Sequence, residues 1–199
     1  MPFNFDKDTN YILEDDRVLL RPLTAEDIVL LLPFALNEPD TWKYSAISAK
    51  GHQGMKEYVN ATLVAMAQGK EYPFVVYDKL AGQYAGSTRF YDIQPANQTL
   101  QLGYTWYGEQ FRGTGLNKHC KFLLLQLAFE TFEAERVEFR ADARNEHSIA
   151  AMKSIGCTVE GILRSNMAIQ GGGRRSSIIL SILKDEWTNV VKENLRLTL

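Results

Sequence analysis

An aromatic-rich apolar segment, Leu100 to Tyr107, runs into Gln110-Phe111-Arg112-Gly113-Thr114-Gly115, and a long apolar segment, Leu116 to Phe132, runs out of it. The first reads as a strand, the second as a helix, and the alternating Arg136 to Ala141 reads as the next strand. Strand, crossover helix and strand make a βαβ step, which points to a mixed sheet. The junction also has a chemistry. Glycine lets the backbone approach a ligand closely, and the free N–H groups of a helix's first turn all point one way. Phosphate or pyrophosphate suits such a place.

Two common phosphate loops do not fit. The segment lacks the Gly-Lys-Ser/Thr ending that places a lysine and a hydroxyl on a triphosphate. It also lacks the third glycine of a dinucleotide fingerprint, and no βαβ unit opens the chain.

The remaining elements set the sheet around this step. Arg17 to Pro22 reads as a strand, and Thr24 as the cap of a helix through Leu32, with Asp27 as its acidic partner. Asn37 to Ile47 reads as a loop. Gly51 to Gln68 reads as a helix with Met55, Val59, Leu63 and Met66 on one face. Tyr72 to Asp78 and Gln83 to Ile93 make a hairpin. Beyond the crossover, Asn145 caps a short helix through Ser154, which Gly156 ends. Cys157 to Ile162 and Ser176 to Leu183 read as strands around Gly171-Gly172-Gly173, and Lys184 to Leu195 as a closing helix. Hairpins mixed with crossovers predict an α+β fold, with a mixed, mostly antiparallel central sheet flanked by helices.

The 199 residues suit a single domain spanning 1–199, with ample length for a core. A net charge of -2 argues against a nucleic-acid surface. No basic segment followed by an apolar run opens the chain, and no apolar run approaches a membrane span; a cytoplasmic protein is expected. Cys120 and Cys157 sit in apolar surroundings and read as buried free thiols. His52, His119 and His147 show no ligand spacing, so no metal is expected. Lys118 and Lys121, three apart on the helix, read as a solvated face or as contacts to a ribose phosphate.

The spacing Gln110-x-x-Gly113-x-Gly115 resembles the pyrophosphate loop of the GNAT acetyltransferases. Downstream, Asn145-x-x-Ser148, a helix, Gly156, a strand and Glu160-Gly161-x-x-Arg164 follow in the order of the coenzyme half-site of the RimJ/RimL type. The resemblance spans about Arg17 to Trp187.

The resemblance implies that acetyl-CoA enters a V-shaped split between the strands Leu100 to Tyr107 and Arg136 to Asp142. Backbone groups from Arg112, Gly113, Thr114, Gly115 and Leu116, followed by Asn117, would take the pyrophosphate, with Gln110 and Arg112 closing the loop. Asn145 would cap its helix and reach a pantetheine amide. A primary amine, a protein N-terminal α-amine foremost, would attack the thioester directly in a ternary complex. A backbone N–H around Tyr104 would stabilise the acyl oxygen, and Ser148 would donate to the leaving thiolate. Trp42, Tyr44, Tyr91 and Trp106, with Tyr104, would wall the acceptor cleft or pack in the core.

Three family features are missing. No tyrosine lies between Asn145 and Cys157, Met167 stands where some relatives place a glutamate, and Ser176 replaces an acidic residue after Arg175. The general base is therefore unassigned. An antibiotic or polyamine acceptor, or acyl-CoA binding without turnover, are the competing readings. A homodimer is compatible with the sequence.

Overall fold

The structure, a computed structural model, describes residues 3–45, 47–169 and 172–199. Eight strands form one sheet in the order β1-β2-β3-β4-β5-β6-β8-β7. These are β1 (Leu13–Glu14), β2 (Val18–Pro22), β3 (Glu71–Asp78), β4 (Gln83–Gln94), β5 (Thr99–Tyr107), β6 (Arg136–Asp142), β7 (Thr158–Ala168) and β8 (Arg174–Leu183). Among the described residues every pairing is antiparallel except β5 with β6. That exception is the βαβ step, with α3 (Leu116–Gln126) and a π turn at Leu127–Thr131 as its crossover.

The remaining helices are α1 (Asp27–Asn37), α2 (Gly51–Ala67), α4 (Glu146–Ser154), α5 (Lys184–Glu186) and α6 (Lys192–Arg196), the last two joined by a π turn at Trp187–Val191. The sheet separates two cores. Phe90, Leu102, Leu124, Phe132, Val137 and Trp187 belong to the larger one, which α3 and the C-terminal helices cover. Leu31, Met55, Val59, Val75 and Trp106 form the smaller one under α1 and α2.

Four local expectations are corrected. Thr24 does not cap α1 with its hydroxyl. The Asp27 carboxylate instead accepts from the Thr24 N–H at 2.8 Å and pairs with Arg21 at 2.6 Å. The helix runs on to Asn37 through Pro33, because burial of Leu31 and Ala35 outweighs the proline. Pro39–Trp42 forms a short 3-10 turn inside the expected loop. The β7–β8 hairpin reaches further than expected, to Ala168 and back from Arg174, since pairing with β8 holds polar residues that carry no strand pattern of their own. Of the triple glycine, Gly171 lies outside the described residues.

Candidate active site

The parallel ladder between β5 and β6 is short. Thr99, Leu100 and Gln101 pair with Arg136, Val137 and Glu138, and among the described residues no pairing continues beyond. From there the strands part, leaving the rest of β5 facing a gap. The cause lies in β5 itself. Ser87 opposes Trp106 and Arg89 opposes Gly103, so Tyr104 and Thr105 together face Thr88. This is a β-bulge, which bends a strand and re-aims its side chains. Tyr104 sits at φ +48°, a conformation that costs a bulky residue about 1–2 kcal/mol.

Packing holds that strain. The Arg89 guanidinium lies 3.6 Å from the centre of the Tyr104 ring, and the Tyr91 ring meets Tyr104 edge-on at 4.9 Å. Tyr91 also covers Gly103, where a Cβ would come within 3.0 Å of its ring. Arg89 is 2% exposed and lies 2.9 Å from a Glu71 carboxylate oxygen, close as charges but not aligned as a hydrogen bond. Burial raises the Glu71 pKa, and Arg89 only partly offsets it. The Arg89–Glu71 pair was not read from the sequence. Its signal, a basic residue in the middle of an apolar strand facing an acidic strand start, has meaning only once register is known.

At the open end of the gap stands the glycine loop. Gly113 and Gly115 adopt φ +72° and +87°, and a Cβ on either would meet nothing within 4 Å. Glycine serves backbone shape here, and space is left beside it. Gly115 begins α3 without a side-chain cap, so no side chain of the helix start competes for the first-turn N–H groups. Neighbouring side chains brace the loop. Arg112 donates from Nε to the Tyr107 carbonyl at 3.0 Å and from Nη2 to Thr41 Oγ1 at 2.7 Å. Thr114 Oγ1 donates to the Phe111 carbonyl at 2.8 Å, Gln110 donates to Gln83 at 3.1 Å, and Asn117 accepts from the Tyr107 hydroxyl at 3.3 Å. Leu116 is fully buried.

Across the gap, β6 ends at Asp142, whose buried carboxylate accepts from the Arg144 N–H, Nε and Nη2. These bonds hold its pKa below the usual carboxylate range and fix the turn into α4. Asn145 caps that helix as expected, its Oδ1 accepting from the Ser148 N–H at 3.1 Å. Its amide nitrogen is a further donor. Ser148 is half-buried in the first turn.

The aromatic residues divide. Tyr44, Tyr91 and Tyr104 are half-buried. Of the two alternatives for Trp42 and Trp106, packing in the core holds: they are 5% and 7% exposed and meet in the smaller core as tilted rings with centroids 5.4 Å apart. Arg175 is buried in the hairpin, reaching the Tyr44 carbonyl at 3.2 Å and Ser177 at 3.0 Å.

The reading of Lys121 as a solvated or ribose-facing residue is also corrected. Its side chain is 5% exposed, and its ammonium donates to Thr105 Oγ1 at 2.8 Å beneath the bulge. Helical phase explains it: Lys121 follows Cys120 and precedes Leu124 and Leu125 on the buried face. His119, by contrast, meets Asp15 at 2.7 Å, a hydrogen bond tying the β1–β2 turn to α3 across 104 residues.

Comparison with known proteins agrees with this geometry. The family model for the acetyltransferase (GNAT) domain matches residues 17–158. YdaF of Bacillus subtilis, named for a proposed ribosomal N-acetyltransferase activity, is 30% identical over 113 residues, covering 57% of this chain and 59% of that one. A GCN5-related N-acetyltransferase from Brucella melitensis superposes with a TM-score of 0.87 at 23% identity, over 96% of this chain and 86% of its own. The microcin C7 self-immunity acetyltransferase MccE, solved with acetyl-CoA and AMP, gives 0.75 at 22%, over 85% and 93%.

Proposed function

The chain belongs to the acetyltransferase (GNAT) family, and on that premise we propose that it moves acetyl from acetyl-CoA to a primary amine, a protein N-terminal α-amine, by direct attack in a ternary complex. The observation that carries this reading is the gap between β5 and β6, bulged on one side at Tyr104 and ended by an uncapped helix start. The name of YdaF supports a protein acceptor.

The residues present fit the coenzyme. Gly113 and Gly115 leave open space where any side chain would intrude, and the first-turn N–H groups of α3 suit a pyrophosphate. The Asn145 amide nitrogen would donate to a pantetheine carbonyl, and the use of its oxygen as the cap of α4 supports that role. When bound, acetyl-CoA supplies an activated acyl group as a thioester. The unpaired edge of β5 beyond Gln101 offers backbone partners for an extended chain lying in the gap. The Tyr104 N–H is the donor for charge that develops on the acyl oxygen, and its displacement from the ladder with β4 supports that role. Ser148 Oγ is the donor for the departing sulfur. Deprotonation of the amine is left to solvent, since an α-amine with a pKa near 8 is partly neutral at pH 7. Tyr44, Tyr91 and Tyr104 form the acceptor wall, an aromatic lining suited to a peptide end.

A small-molecule amine is the competing acceptor. Calorimetric titration with acetyl-CoA is the first test, with Gly113→Glu as control. Saturable binding by the wild type and none by the variant is expected, because a carboxylate in the loop fills and charges an anion site. Equal affinity would remove the loop from the site. Thiol release with N-terminal peptides but not with polyamines or aminoglycosides then selects the protein acceptor, and the reverse selects the small molecule.

A further inference from the structure

A buried ammonium lies directly behind the bulge. Lys121 Nζ donates to Thr105 Oγ1 at 2.8 Å and approaches Thr88 Oγ1 at 3.4 Å, and the two hydroxyls are 2.7 Å apart. Thr88 is the residue of β4 that faces the bulge, and Thr105 is its second residue. The Thr105 hydroxyl also reaches back to the Gly103 carbonyl at 3.5 Å, so it brackets Tyr104 from the core side. On the other side the ammonium lies 5.9 Å from the centre of the Phe139 ring on β6. The charge therefore sits beneath the gap, between the two strands that part.

Nothing in the core balances it. Among the described residues no carboxylate pairs with Lys121, and the titratable groups facing it are the Cys120 and Cys157 thiols. Burial pushes both thiols up to about 12, and raises the Tyr107 hydroxyl beside Cys120 well above its usual value, so all three are neutral near pH 7. The same burial lowers Lys121 to about 8. A buried cation without a counter-charge is unfavourable, and a leucine or methionine would suit this helix face better. A position that opposes stability in this way is expected where function requires it.

We propose that Lys121 is a positioning residue for acetyl transfer: through Thr105 and Thr88 it locks the bulge at Tyr104, and its positive charge beneath the gap favours the negative charge that develops there. The role rests on the transferase reading above, and it requires no contact between Lys121 and the reacting atoms.

The test pairs Lys121→Met and Thr105→Val with Thr105→Ser, which keeps the hydroxyl. In steady-state assays with acetyl-CoA, Lys121→Met lowers kcat by about 10- to 100-fold, less than deletion of a direct oxyanion donor, with KM for acetyl-CoA within about twofold. Thr105→Val follows it and Thr105→Ser restores most of the rate. The ratio of wild-type to Lys121→Met kcat falls as pH rises through about 8, where the wild-type ammonium loses its proton. Amide hydrogen exchange on the free proteins supplies a readout independent of turnover. Exchange rises in Lys121→Met at Tyr104 to Trp106 and stays unchanged along β6. Unchanged exchange at the bulge, or an unchanged kcat and pH profile in an active enzyme, overturns the proposal. A wild type that binds acetyl-CoA without turnover removes the transferase reading and with it the catalytic role, while the exchange experiment still decides whether Lys121 locks the bulge.

Discussion

β5 loses register with β4 twice, between Ser87 and Arg89 and again between Tyr91 and Gln94, whereas β6 pairs with β8 from Arg136 to Asp142 without a shift. The two arms of the gap thus differ in kind. The β5 arm carries a left-handed tyrosine and a glycine covered by a ring, with a buried arginine of β4 and a buried lysine of α3 packed against it. On the β6 arm, Val137, Phe139 and Ala141 alternate into the core while Arg136, Glu138 and Arg140 pair with one another on the outer face. A regular ladder satisfies its backbone and fixes a position. An irregular one frees N–H and C=O groups and turns side chains toward a ligand, at a cost in strain. The straight arm is a regular reference against which the bent arm is displaced.

The comparison breaks most visibly at Gly86. A Cβ there would lie 2.0 Å from the Trp106 carbonyl oxygen, with other backbone atoms at 2.9 and 3.0 Å. Gly86→Ala is expected to force β4 and β5 apart at the bulge, lowering stability by about 3 kcal/mol or more and abolishing turnover. On the straight arm, Phe139→Ala should lose a similar amount, about 3–5 kcal/mol, by leaving a cavity. Whatever remains folded should keep its KM for acetyl-CoA. Urea denaturation with kinetics on each variant tests the pair, and equal loss of coenzyme affinity in both would erase the distinction between the arms.

Lys121 sharpens it in the opposite direction. Depression of its pKa from 10.5 to about 8 amounts to about 3 kcal/mol of opposition to folding at neutral pH. The sign follows from proton counts: between about 8 and 10.5 the unfolded chain holds the lysine proton and the folded chain does not. Wild-type stability therefore rises with pH across that window, and the penalty is complete below it. Lys121→Met should be the more stable protein at pH 7, with the difference closing as pH approaches 10.5. A variant both less stable and less active at pH 7 would make Lys121 an ordinary structural residue.

The smallest effect is expected at the end of the straight arm. Ser148→Ala keeps the backbone N–H that Asn145 caps, so stability should change by less than about 0.5 kcal/mol. Turnover should fall several-fold with acetyl-CoA affinity retained. Equal kcat in the two proteins would leave Ser148 outside the chemistry.

Most elements were legible in the chain because their signals are local. The apolar strand at Leu100, the glycines at 113 and 115 and the asparagine at 145 each act through their own backbone. The loop and the cap accordingly stand where their residue types require. Lys121 was misplaced, and Trp42 and Trp106 were left open between cleft wall and core, for one shared reason. Each has a side chain whose surroundings come from other elements, Thr88 and Thr105 for the lysine and α1 and α2 for the tryptophans. An ammonium is ordinarily solvated, and an aromatic packs in a core as readily as it lines a cleft, so residue type misled for the lysine and left the tryptophans undecided.

By itself the sequence determined the βαβ step, a mixed sheet to contain it, and a glycine loop at a helix start, because hydrophobic period and glycine stereochemistry operate over a few residues. Only the tertiary structure decided that β5 would bulge at Tyr104, that Arg89 and Tyr91 would hold it there, and that a lysine would stand uncompensated behind it. Register across strands and burial beneath a sheet are set by the packing of distant segments, and no local pattern carries them.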